Sequence, residues 1–192
     1  MFYKTKQEYR DAWQAAETTD PPVPLCLDLE LCSLCALRCP FCFWGDSKYQ
    51  SFMREKDHDG GPMKRTMPTE LALRLIDEAA AIGIPSLKFH GRGDGVHHPD
   101  YSKILKYAAG QIRIVGTDMH GPVVGPAFHD LLVNTNAFCK DSALDGLMAA
   151  TKVMVSHDSL DPALYSKMRV KSDLARVKAV VHELIRRRHP NL

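Results

Sequence analysis

Cys32-Ser33-Leu34-Cys35-Ala36-Leu37-Arg38-Cys39-Pro40-Phe41-Cys42-Phe43-Trp44 contains four of the six cysteines in the chain. Packing accounts for an isolated buried cysteine, but a cluster like this points to thiolates that converge on a metal. Cys35, Cys39 and Cys42 carry the spacing C-x3-C-x2-C. Three thiolates can hold three irons of a cubane and leave the fourth iron free for an outside ligand. A four-cysteine set closes the site and favours structure or electron transfer.

Cys32 keeps other readings open. Cys32-x2-Cys35 followed by Cys39-x2-Cys42 has the make-up of a four-thiolate zinc knuckle, although three residues separate the pairs where structural zinc sites usually have a longer loop. Cys32-x2-Cys35-x3-Cys39-Pro40 echoes part of a ferredoxin run that needs one more cysteine nearby. A disulfide framework suits a shorter chain richer in cysteine. In the open-cluster reading Cys32 is a spectator, and Cys26 and Cys139 are packed thiols.

The run Cys35-Ala36-Leu37-Arg38-Cys39-Pro40-Phe41-Cys42, with an aromatic residue before its last cysteine, resembles the signature of the radical S-adenosylmethionine (SAM) superfamily. The resemblance implies a [4Fe-4S] cluster held by Cys35, Cys39 and Cys42, with SAM chelating the free iron through its amino and carboxylate groups. It also implies an enzyme. An electron from an external donor of flavodoxin or ferredoxin type reduces the cluster and the sulfonium C–S bond of SAM breaks. The resulting 5′-deoxyadenosyl radical then takes a hydrogen atom from substrate. The order of motifs is most like the peptide- and protein-maturing branch, which implies a peptide or protein substrate.

Composition sets the outer bounds. The 192 residues suit one domain with a sizeable core, and 45% hydrophobic with 25% charged residues is ordinary for a globular protein. A formal net charge of +2 argues for neither nucleic acid nor membrane as a partner. The basic run Arg186-Arg187-Arg188-His189 reads as a solvated helix end. Met1-Phe2-Tyr3-Lys4-Thr5-Lys6 has no apolar core of a signal peptide, and no apolar run approaches the ~20 residues of a membrane span. The expectation is a cytoplasmic protein.

Residues 4–18 place Tyr9, Trp13 and Ala16 at helical spacing and form an N-terminal helical extension over 1–22, ended by Asp20-Pro21-Pro22. The main domain runs over 23–192. Val23 to Leu31 alternates: Leu25, Leu27, Leu29 and Leu31 face one way, Cys26, Asp28 and Glu30 the other, as in a strand with one polar face. It feeds directly into the cysteine loop, and ligands of α/β folds sit outside the carboxyl ends of strands. Residues 43–66 form a long charged loop, in which His58 reads as solvated. Thr69 to Ile82 is a helix with a stripe of Leu71, Leu75, Ile76, Ala79 and Ala80, closed by Gly83. Ser86 to His90 is the next strand.

Gly91-Arg92-Gly93-Asp94-Gly95 follows at once, and glycines there let backbone approach a ligand. The segment resembles the Gly-Gly-Glu-Pro element of the same family, with Asp94 for the Glu and Gly95 for the Pro. The resemblance implies that Gly91, Arg92, Gly93 and Asp94 meet the ammonium of SAM. His97-His98 reads as helix-start chemistry before a helix over 99–109. Ile112 to Val115 reads as a short strand and Gly116 to Pro126 as a broken loop, both within an insertion. Leu131 to Asn136 is the third strand of the pattern and resembles the family's Thr-Asn element, with Asn134 at the cofactor. Ser142 to Ala150 is a helix. Lys152 to Asp158 is the fourth strand and resembles a Ser-x-Asp strand end, placing Ser156 and Asp158 near the SAM ribose and carboxylate. Helices follow from Asp161 to Met168 and from Leu174 to Arg188.

The polar strand faces agree: Asp28 and Glu30, Lys88 and His90, Asn134 and Asn136, Ser156 and Asp158 all alternate with apolar neighbours. In a βα series the apolar faces meet helices and the polar faces line an interior cavity. The expected fold is α/β, a partial (β/α) barrel of the radical SAM type with about four βα units, C-terminally incomplete beside the family's six. A partner chain that completes the barrel is then expected, since the fourth strand leaves an unpaired edge. Two other classes stay open: a non-enzymatic four-cysteine metal-binding or electron-transfer module, and a truncated inactive remnant that binds a partner.

Overall fold

The structure, a computed structural model, describes residues 3–46, 48 and 66–187. Most of the long loop expected over 43–66, His58 included, lies outside the described residues, as do Arg188 and His189.

Alternating strands and amphipathic helices build one parallel sheet covered by helices. In chain order the elements are α1 (Lys6–Ala15), β1 (Leu27–Asp28), α2 (Thr69–Ile82), β2 (Ser86–Phe89) and α3 (Tyr101–Ala109). Then come β3 (Ile112–Asp118), β4 (Gly121–Pro126), β5 (Asp130–Thr135), α4 (Leu144–Ala149), β6 (Lys152–Val155), α5 (Pro162–Met168) and α6 (Leu174–Arg186). The main sheet has the order β1-β2-β5-β6, all parallel, with Leu87 facing Leu131 and Val133 facing Val153 in register. Parallel neighbours need a crossover, and the helices supply it. No helix among the described residues is long and apolar enough to cross a membrane.

The core lies between the apolar sheet face and the helices. Leu87, Phe89, Leu131, Val133 and Val153 are buried there against Ile76, Ile104, Leu105, Leu147, Val177 and Leu184. In α2 the buried stripe runs through Ala72, Ile76 and Ala79, with Leu75 and Ala80 at its margins. Gly83 takes φ 90°, where a side chain is strained, and its N–H closes the helix on Ala79. The opposite sheet face carries Asp28, Lys88, His90, Asn134 and Met154 and is open. Thus the expected separation of apolar and polar strand faces holds.

Three expectations are corrected. The first strand is not Val23–Leu31 but a two-residue pairing, extended by Leu29 N–H donating to Lys88 O at 2.8 Å. Val23 and Leu25 leave the ladder and pack with Tyr3 and Tyr9 in a satellite cluster, and Pro22 and Pro24 have no N–H to pair there. Trp13 is 49% exposed, so α1 is anchored by Tyr9, which donates to Ser86 Oγ at 3.0 Å, by Ala12 against the satellite cluster and by Lys6 pairing with Asp130. Gly116–Pro126 is not a loop: β3 and β4 form an antiparallel ribbon with a bulge between Ile114 and Gly116. The ribbon tolerates Pro122 and Pro126 because edge positions need no N–H.

Candidate active site

The cysteine loop begins three residues beyond β1, after Leu31, whose carbonyl accepts Met67 N–H at 2.9 Å, while Cys32 bridges to Thr66. Buried Leu37 roots the loop, and Arg38 Nη1 donates to the carbonyls of Cys35 (3.0 Å) and Leu37 (2.7 Å). Its far end is a tight turn, with Cys42 N–H on Cys39 O and Gly45 N–H on Cys42 O. A Cβ on Gly45 would overlap the Cys39 carbonyl, so only glycine lets the chain close here.

Cys35, Cys39 and Cys42 all line one cleft of ≈ 260 Å³ above the carboxyl ends of β2, β5 and β6. Phe41 and Phe43 form part of its wall. Burial pushes the Cys35 and Cys39 thiols up, and Arg169 pulls that of Cys39 back. Cys32 is not in this lining: it is buried, and its sulfur accepts Leu34 N–H at 3.4 Å. Cys139 is buried too, its thiol pushed up to about 11 by desolvation, as suits a packed cysteine. Among the described residues, no three ligating side chains are drawn around a single ion-sized point. Three thiols spread round a cleft suit a cluster, where each sulfur meets a different iron.

Gly91, Arg92, Gly93 and Asp94 all line the cleft. Gly93 is pressed against the cysteine loop, where a Cβ would overlap the backbone of Cys32, Ser33 and Leu34. Asp94 N–H donates to Leu34 O at 2.8 Å and locks the two loops together. The Arg92 guanidinium lies 3.3 Å from Glu30. Asp94 is 4% exposed, and its carboxylate accepts from Thr135 Oγ1 (2.9 Å), Asn136 N–H (2.8 Å) and Val96 N–H (3.3 Å). Both oxygens are therefore engaged by the protein. Its carboxylate ties the glycine loop to the end of β5. Downstream, His98 takes a structural place: its ring bonds Met67 O and Asp100 N–H.

Asn134 and Ser156 line the cleft from β5 and from just beyond β6. Asn134 Oδ1 is buried with no hydrogen-bond partner among the described residues, an unsatisfied acceptor on a residue that lines the cleft. Asp158 makes a bidentate pair with Arg169 through Nε and Nη2. Sequence reasoning missed Arg169. Its guanidinium lies 5.2 Å over the Phe41 ring, its Nη1 is 3.9 Å from Cys39 Sγ, and its side chain is 14% exposed. Arg38 N–H donating to Val170 O at 2.9 Å holds this corner on the cysteine loop. His90 belongs to the polar strand face. It also lines the cleft, 3.4 Å from Asp28.

The family model of the radical SAM superfamily matches residues 29–191. Among solved structures, Streptococcus suis SuiB bound to precursor peptide SuiA is similar at 15% identity and a TM-score of 0.63, over 97% of this chain and 36% of that one. HydG, a maturase of the [FeFe]-hydrogenase, is similar at 13% identity and a TM-score of 0.51, over 95% of this chain and 38% of that one. BtrN in complex with AdoMet and 2-DOIA gives 14% identity and a TM-score of 0.50, over 72% and 48%. This chain therefore spans between a third and a half of those structures, and at such identities the likeness is one of fold. No curated protein matches it in sequence.

Proposed function

We propose that this chain, which belongs to the radical SAM superfamily, is the cluster- and SAM-binding part of a radical SAM enzyme acting on a peptide or protein. One observation carries the reading. The three thiols of C-x3-C-x2-C share a single cleft with the glycine loop, an orphan amide oxygen on Asn134 and a guanidinium on Arg169. The family's cofactors are a [4Fe-4S] cluster and SAM, and the residues present fit them: three sulfurs at the rim and unspent polar groups beside them. When bound, these groups supply one-electron cleavage of the sulfonium C–S bond and a 5′-deoxyadenosyl radical for hydrogen abstraction.

The chain's own residues bind, orient and shield. Cys35, Cys39 and Cys42 hold the cluster, while Cys32 stays outside it. Arg169, pre-oriented by Asp158 and 3.9 Å from Cys39 Sγ, would take the carboxylate of SAM. Asn134 and Ser156 would hydrogen-bond the ribose, and Gly91 and Gly93 would let the backbone of the glycine loop lie close to SAM. Phe41 and Phe43 keep water off the sulfur side.

A peptide substrate finds its support in the fold likeness to SuiB, one of whose structures holds a precursor peptide. An electron donor of flavodoxin or ferredoxin type and a further wall for the open sheet face complete the proposal. That wall would sit on the free edge of β6, beside a groove of ≈ 680 Å³ lined by Met154, Val155, Leu160 and Val181.

The test is anaerobic reconstitution with iron and sulfide, then dithionite and SAM, with 5′-deoxyadenosine measured by chromatography. About four irons per chain and formation of 5′-deoxyadenosine are expected, each lost in Cys39→Ala. One zinc per chain, held equally by Cys32, would favour the four-thiolate module instead.

A further inference from the structure

The turn after β5 places one amide of the protein against one thiol of the cluster loop. Ala137 stands at φ 56°, a left-handed conformation that a non-glycine residue adopts only when its surroundings hold it there. Three bonds do so. Ala137 N–H donates to Thr135 Oγ1 at 3.0 Å, that hydroxyl donates to Asp94 at 2.9 Å, and the same carboxylate oxygen accepts Asn136 N–H at 2.8 Å. The turn is thereby pinned to the glycine loop.

Within it, the amide of Asn136 has one orientation that satisfies both its ends. Its Oδ1 accepts Phe138 N–H at 2.8 Å, so its Nδ2 must point the other way, and there it lies 3.7 Å from Cys35 Sγ. Asn136 is 6% exposed, so the donor is largely shielded from bulk water. Arg169 also reaches a thiol, Cys39, but its charge is shared with Asp158. Asn136 has no acceptor in the structure other than sulfur for its Nδ2 among the described residues.

We infer that Asn136 is a positioning residue of the cluster: fixed by Asp94, it donates an N–H···S bond to Cys35 and raises the reduction potential of the cluster that this thiolate holds. The inference rests on the radical SAM reading proposed above. Its physical cause is general. A donor on a ligating sulfur stabilises the state with more negative charge, and hydrogen bonds to sulfur are among the levers that set iron–sulfur potentials.

The experiment is an EPR-monitored redox titration of the reconstituted chain, with dithionite as reductant, in the parent, Asn136→Ala and Asn136→Asp. The aspartate variant keeps an acceptor for Phe138 N–H and so preserves the turn. Both variants are expected to keep the parent's iron content, with the reduced-to-oxidised ratio at a fixed potential falling about tenfold, which is ~59 mV for a one-electron couple. A midpoint equal to the parent's in a fully loaded variant overturns the inference. Loss of iron from both variants overturns it as well, in favour of a purely structural role. A parent chain that takes up no iron would instead bring down the cluster reading itself.

Discussion

Asp94 shows what a single carboxylate is worth when both of its oxygens accept hydrogen bonds from the protein. Three donors converge on it in a buried place, and hydrogen bonds to a charged group contribute about 1.5–3 kcal/mol each. Asp94→Asn keeps the shape but turns one acceptor oxygen into a donor facing an N–H, and the loss of stability should be about 1–3 kcal/mol. Urea unfolding of the apo chain measures it. An Asn variant as stable as the parent, yet weaker for SAM, would show that the carboxylate serves the ammonium group after all. The cysteines make a sharper prediction. Cys35→Ala, Cys39→Ala and Cys42→Ala should each abolish cluster assembly, whereas Cys32→Ala and Cys139→Ala should leave iron content and visible absorption unchanged. A Cys32 variant without its cluster would contradict the three-thiol cleft. The cysteines were readable in the sequence because their spacing is local. Arg169 was not, since it meets Cys39 only after the chain has run through the helices and strands between them. Nor did the sequence reveal that Asp94 faces inward, because the direction of a loop carboxylate depends on donors at Thr135 and Asn136, far along the chain.

At the scale of elements, periodicity was informative wherever one face packs and the other does not. The stripe of α2, the alternation of β2 and β5 and the helix pair after β6 all follow from it. It misled at β1, where alternation persists beyond the ladder because Val23 and Leu25 find a second cluster to enter. Composition misled at the ribbon, where glycine and proline suggested a loop. Gly121 at φ 119° in fact closes a hairpin, with His120 N–H on Asp118 Oδ1 at 2.8 Å. Two substitutions test the local physics between α5 and α6. Asp173 accepts Ala175 N–H at 2.8 Å and Arg176 N–H at 3.3 Å, so Asp173→Ala should cost about 1 kcal/mol through the lost helix cap. Lys171 is exposed at φ 70°, and Lys171→Gly should gain up to ~1 kcal/mol by removing the left-handed strain. Both are read as shifts in the denaturation midpoint. Equal stability of the glycine variant would show that the corner over the cysteine loop is not strained.

The molecule as a whole presents a sheet with one packed face and one open face. Helices cover Leu87, Leu131 and Val153, while Lys88, Asn134 and Met154 look outward from the other side, and β6 ends the sheet with no further strand among the described residues. The cleft is walled by the cysteine loop, the glycine loop, the end of β5, Ser156 beyond β6 and Arg169. This geometry bears on affinity. In the proposed reading Arg169 and the thiol-held cluster would grip the methionyl end of SAM and leave the adenine and sulfonium side to the missing wall. Such partial enclosure forfeits most of the buried apolar area that a ligand site normally supplies. The reconstituted chain should then bind SAM with a dissociation constant of roughly 0.1 mM or weaker, which is about −5.5 kcal/mol. Anaerobic calorimetry decides it. Adding the wall should tighten binding without altering cluster absorption, since the thiols already stand in place. Tight binding by this chain alone would show instead that four parallel strands and the cysteine loop suffice to hold SAM.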